Sequence, residues 1–253
     1  PAGEMAYAAY AAPAAYAVPA YRVPVQAAPP PRMTYPAAPS APPIVPQAMP
    51  VFSAQSPAAA GSFSSIEHIA HEIRQAGDWG RCVSVIGAAR EVGTTYAAIS
   101  LARALAADAS VILVDLAFGA PNLSVISSDP QAPGLVELLN GAASFGDVIT
   151  TDQYSTVHVV ATGQIGPDSI GLLASSELVS VIEALARSYD HVVIDAGSAT
   201  ETAIEYLLPL STQVVLVSDD ANVAGIQALQ DRAASAGFGH ISLLMGGAHA
   251  EAA

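Results

Sequence analysis

The sequence predicts an α/β fold with a doubly wound, mostly parallel sheet, preceded by a disordered Pro/Ala-rich tail. Three observations carry this. From Arg81 onward, short apolar runs alternate with helical patterns. The runs are near-continuously apolar, as parallel strands covered on both faces must be. The first run, in the stretch Arg81–Thr95, passes through a glycine-bearing loop directly into a helix. That is the layout of a phosphate-binding P-loop, a weak signal alone, and the fold expected is of P-loop NTPase type.

Composition divides the 253-residue chain. Residues 1–60 hold 14 of the 19 prolines and only three charges, Glu4, Arg22 and Arg32. Proline fixes φ and removes donors, so neither helix nor sheet propagates there. Pro29-Pro30-Pro31 reads as local polyproline II. The expected organisation is a disordered linker at residues 1–61 and one domain at residues 62–253. Tyr7, Tyr10, Tyr16, Tyr21 and Tyr35 lie in the linker, where they read either as low-complexity composition, the favoured reading, or as phosphorylation sites.

The net charge is −14, all eight cations are arginines, and lysine is absent from the whole chain. With no cations to cluster, nucleic-acid binding is not expected. The lone Cys82 excludes a disulfide framework within the chain, which fits a reducing compartment, and reads as a small core residue. No run approaches the roughly 18 apolar residues of a membrane-spanning helix. The tail lacks the basic start and apolar middle of a signal peptide.

The elements follow in order. Ile66, Ile69, Ala70 and Ile73 recur at helical spacing, which predicts a helix over Ser65–Ala76 with a serine N-cap. His68 and His71 fall on its exposed face and, without a third ligand, are weak metal evidence. Strands are predicted at Arg81–Gly87, Val111–Asp115, Val157–Ala161, His191–Asp195, Thr212–Ser218 and His240–Met245. Helices are predicted at Thr95–Ala107, Leu135–Asn140, Phe145–Ile149, Ser169–Arg187, Thr202–Leu208 and Val223–Ala236. Such repeated βα units place a site at the carboxyl ends of the strands.

Three segments converge there. In the loop Ala88–Thr95, backbone N–H groups and the helix dipole form an anion nest. Arg90, Val92, Gly93, Thr94 and Thr95 are its candidate nucleotide-binding residues. Thr95 stands where a hydroxyl ligates Mg²⁺. Thr94, however, stands where a P-loop carries its lysine, and Glu91 adds a negative charge. Arg90 replaces that lysine only in part, because its planar guanidinium sits on a longer stem. Asp115 ends one buried strand, where it orients Mg²⁺ or a water, or caps the next turn. Asp195 ends His191-Val-Val-Ile-Asp195, a Walker-B-like pattern that places it to hold Mg²⁺. Asp115 and Asp195 are the candidate catalytic residues, and Thr95 with Asp195 the candidate Mg²⁺ ligands.

Several motifs together resemble a known family. Gly93-Thr94-Thr95 stands in place of Gly-Lys-Ser/Thr. Asp115-Leu-Ala117-Phe-Gly119-Ala-Pro121 stands in place of Asp-x-Asp-x-Arg-x-Pro. Pro133-Gly134-Leu135 with Leu138-Leu139-Asn140-Gly141, Pro167 with Leu172-Leu173-Ala174-Ser175, and Tyr189-Asp190-His-Val-Val-Ile-Asp195 complete the set. Over about residues 62–220 the chain resembles the cytoplasmic domain of bacterial tyrosine kinases that regulate capsule and exopolysaccharide export, relatives of the MinD and ParA ATPases. The resemblance implies ATP and Mg²⁺ as ligands and a membrane chain-length-determining region or protein as partner. It also implies placement in the cytoplasm at the inner membrane, and is compatible with a homo-oligomer.

Lysine, the second aspartate and the arginine of these motifs are missing here, and Gly246–Ala253 lacks the tyrosines that those kinases phosphorylate. Losing the P-loop lysine removes an electrostatic contribution worth several kcal/mol in the transition state. The expectation is a regulatory, kinase-like domain of degenerate nucleotide site, with ATP and Mg²⁺ binding weak or absent and phosphoryl transfer weak or absent. Two other readings remain open: a live tyrosine autokinase that uses Arg90, and a MinD-like localisation or pilus-assembly scaffold.

Overall fold

Seven strands form one sheet in the order β3-β4-β2-β5-β1-β6-β7 in the computed structural model, which describes residues 63–166, 169–219 and 223–246. They are β1 Cys82–Gly87, β2 Val111–Asp115, β3 Ile149–Thr151, β4 His158–Val160, β5 His191–Ser198, β6 Gln213–Ser218 and β7 His240–Met245. Every neighbouring pair is parallel except β3 with β4. The tail tyrosines, Pro167 and most of Gly246–Ala253 lie outside the described residues.

The strands alternate their side chains between two cores. On one face Val83, Val85, Val111, Leu113, Val193 and Val215 pack under α1 (Ile66–Gln75) and α2 (Thr94–Leu105), which contribute Ile69, Ile73, Ala98, Leu101 and Leu105. On the other, Ile112, Val114, Ile194 and Leu216 pack under α3 (Leu135–Leu139), α4 (Phe145–Val148), α5 (Ser176–Ser188) and α6 (Val223–Ala236). Burial on both faces is what makes the strands continuously apolar.

Most predicted elements lie where expected, with α1 capped by Ser65, whose Oγ accepts from the His68 N–H. His68 and His71 are exposed. Three expectations need correction. The helix expected at Phe145–Ile149 stops at Val148, and Ile149 starts the antiparallel edge strand β3. The helix expected at Ser169–Arg187 divides, because Ser175 is extended and caps the Leu178 N–H at 3.1 Å. Only a 3₁₀ segment, Ser169–Ala174, precedes it. The helix expected at Thr202–Leu208 is a single 3₁₀ turn at Ile204–Tyr206, since Pro209 prevents its continuation.

Cys82 is half-buried, and burial pushes its thiol up to about 11. No helix among the described residues is long and apolar enough to cross a membrane.

Candidate functional site

β1 carries the chain to Gly87, and a tight turn returns it into α2. Two glycines make the turn possible. A Cβ at Gly87 would lie 2.2 Å from Thr94 Oγ1 and 2.8 Å from Val92 Cγ2. Gly93 has φ 85° and is the N-cap of α2, without any side-chain cap. Glu91 is the one non-glycine residue with positive φ (62°) among the described residues, a conformation that costs a side-chain-bearing residue about 1–2 kcal/mol. The first-turn N–H groups of α2 have no intrahelical partners, and the residues that carry them line a cavity.

Here the structure places the predicted loop residues together. Arg90, Glu91, Gly93, Thr94 and Thr95 line one cavity of about 480 Å³. Its other walls come from Tyr96, Ala117, Asn122, Gly197, Ser198 and Glu201 among others. Val92 is buried instead, with its side chain beside Gly87 and its carbonyl against Gly246. Thr94 is also nearly buried, its hydroxyl packed against Gly87, so no cation extends from the lysine position.

Asp115 and Asp195 end neighbouring strands β2 and β5 and are paired in register. Both are buried. Asp115 is well served by hydrogen bonds: Oδ1 accepts from the Ala117 N–H at 3.0 Å, and Oδ2 from those of Leu123 (3.2 Å) and Asn122 (3.3 Å). Burial still pushes its carboxyl above the usual range, with those N–H groups pulling the other way. Asp115 therefore serves the turn after β2, and it lines an adjoining cavity of about 360 Å³ rather than the loop cavity.

Asp195 differs. Its Oδ1 accepts from the Gly197 N–H at 3.0 Å, while Oδ2 has no hydrogen-bond partner among the described residues. Burial, then the charge of Asp115, push its carboxyl up to about 6, against a lesser pull from the Thr95 hydroxyl and the Gly197 N–H. A buried acidic oxygen without a partner, beside a hydroxyl at a helix N-terminus, is a donor set suited to a hard cation such as Mg²⁺. On that observation, the residues present fit a phosphate–Mg²⁺ group in position. They fit it poorly in charge. Arg90 is the one cation among the described lining residues, against Glu91 and Glu201.

Ala117, where the resemblance places a second aspartate, instead packs against Gly197. Glu201 was not foreseen from the sequence. It lies in the loop after β5, its carboxylate fills the space above Gly119, and Oε1 is 2.5 Å from Arg90 Nη2. No spacing rule points to such a residue; the acid four positions beyond Gly197 was the sole signal.

Comparison with known proteins agrees with this fold. No family model matches the chain. It is 31% identical over 136 residues to a tyrosine-protein kinase, ptk, of Acinetobacter johnsonii, which covers 53% of the chain and 19% of the relative. It is 29% identical over 147 residues to the succinoglycan biosynthesis transport protein ExoP of Rhizobium meliloti (strain 1021), covering 56% and 19%. The match therefore spans about a fifth of the length of either relative. Among solved structures, the kinase domain of the Escherichia coli tyrosine kinase ETK superimposes with TM-score 0.63 at 18% identity, covering 75% of this chain and 77% of that one. The septum site-determining protein MinD of Pyrococcus horikoshii OT3, solved with Mg-ADP, does so with TM-score 0.55 at 22% identity, covering 65% and 69%. The described residues thus form a P-loop-type α/β domain that is similar in sequence to bacterial tyrosine-protein kinases and in fold to a tyrosine kinase domain.

Proposed function

We propose that this domain regulates exopolysaccharide biosynthesis or export as a degenerate kinase-like module, binding ATP–Mg²⁺ weakly or not at all and transferring phosphoryl groups weakly or not at all. The observation that carries this is the charge around the loop cavity. Thr94 supplies no cation, Arg90 is held by Glu201, and Glu91 faces the same space. A multiply anionic ligand meets no unpaired positive side chain among the described residues there, while preorganised positive charge is the largest contribution to phosphoryl transfer.

In this reading the N–H groups of Gly93, Thr94 and Thr95 and the N-terminus of α2 hold the phosphates. Thr95 and Asp195 hold Mg²⁺. ATP with Mg²⁺, when bound, supplies a transferable phosphoryl group. Asp115 maintains the β2 turn that borders the site, and neither Ala117 nor Gly119 offers a group to an acceptor. The domain acts through a membrane chain-length-determining region or protein, or through copies of itself, at the cytoplasmic face of the inner membrane. The description of one relative as a biosynthesis transport protein supports that setting.

The intact Thr95–Asp195 arrangement favours a second reading, a live autokinase with Arg90 in place of lysine. Calorimetric titration of the full chain with ATP–Mg²⁺ separates them. Affinity weaker than micromolar is expected in the unaltered chain, tightened by about tenfold or more in Thr94→Lys. Submicromolar affinity in the unaltered chain contradicts it.

A further inference from the structure

Arg90 and Glu201 reach across the mouth of the loop cavity from two different loops. Arg90 stands in the turn after β1 and is 72% exposed, whereas Glu201 stands after β5 and is only 17% exposed. The contact depends on a third loop, after β2. A Cβ at Gly119 would lie 2.3 Å from the Glu201 carboxyl carbon and Oε2. Glycine at that position is what leaves Glu201 its room. The backbone of Glu201 is itself anchored, its N–H donating to the Ser198 carbonyl at 2.9 Å. The acid is thus the fixed member of the pair and the arginine the arm that can swing.

A guanidinium binds a carboxylate or a phosphate with the same fork geometry, and the Nη2 of Arg90 is already on Glu201. Arg90, the one cation among the described lining residues, meets an entering phosphate with its charge already compensated by Glu201. We propose that Glu201 is a displaceable counter-ion, so that a di- or triphosphate enters the cavity only by taking Arg90 from it. This rests on the reading of the cavity as a phosphate site and adds to it a residue that sets its affinity. A phosphate that enters while Glu201 keeps its charge meets a like charge at close range, which lowers affinity by about tenfold.

The test titrates the full chain with ADP and, separately, with inorganic pyrophosphate, both without metal, with thermal melts confirming that each variant is folded. Glu201→Gln keeps the size of the side chain and removes its charge, and is expected to bind both probes about tenfold more tightly than the unaltered chain. Gly119→Ala evicts the carboxylate without changing any charge, and is expected to tighten binding of both probes in the same direction. Adding Arg90→Gln to Glu201→Gln is expected to abolish the gain. The gap between the unaltered chain and Glu201→Gln narrows as salt is raised. Affinity in Glu201→Gln equal to or below that of the unaltered chain, with both binding, overturns the counter-ion role and leaves the phosphate site standing. Absence of binding by either probe in both proteins overturns the phosphate site as well.

Discussion

Asp195 is buried with one carboxylate oxygen that has no hydrogen-bond partner among the described residues, and its carboxyl is pushed up to about 6. A folded-state value above the unfolded one means that the folded state holds the proton more tightly. The corresponding stability is fully present below about pH 4 and is lost as pH rises through about 6. Asp115 shifts in the same direction and adds to it. In metal-free buffer the domain should be less stable at pH 8 than at pH 5, with Asp195 responsible for roughly 3 kcal/mol of difference across the full range. Denaturant unfolding of Asp195→Asn should show a clearly flatter pH profile; an unchanged profile would assign the effect elsewhere. At this scale the sequence was partly legible. Asp115 and Asp195 were found because each ends a buried apolar run, where a carboxylate is costly without a role. The partner of Arg90 was not found, because Glu201 lies on a loop and its contact exists only once the strand ends are gathered.

The elements are tied together at some distance from the site. Arg103 of α2 donates from Nε and Nη2 to the two Asp152 oxygens at 2.8 and 2.9 Å, joining that helix to the turn after β3. Burial pushes the Asp152 carboxyl up, but Arg103, the Ser155 hydroxyl and the Tyr154 N–H hold it below the usual range. That stability is present above about pH 4 and is lost as pH falls. Arg103→Ala leaves Asp152 buried without its cation and should cost roughly 2–3 kcal/mol, with acid unfolding beginning at higher pH. Thermal melts across pH 3–7 check both. The long, regular elements were readable from periodicity: the burial of Ile69, Ala70 and Ile73 on α1 follows the spacing that predicted it. The misread elements are short or interrupted. β3 has three residues, too few to alternate, and Ile170, Leu172 and Leu173 continued the α5 pattern across a serine cap that takes precedence.

For the molecule as a whole, strand order gathers the site. β5 lies between β1 and β2, so the loops after these three strands meet above Asp115 and Asp195. The doubly wound arrangement was legible from the alternation of apolar strands and helices, while the antiparallel edge was not. The net charge of −14 and the absence of lysine were legible too, and they constrain the chemistry more than the fold does. Under the proposed function, a scaffold that keeps its helix N-terminus, Thr95 and Asp195 but holds Arg90, the one cation among the described lining residues, in an ion pair serves binding and regulation rather than transfer. The most direct test is incubation of the full chain with γ-labelled ATP and Mg²⁺ followed by phosphotyrosine analysis. No label above that of Asp195→Asn is predicted. Label on tyrosine that disappears in both Asp115→Asn and Asp195→Asn would contradict the account and establish a working kinase.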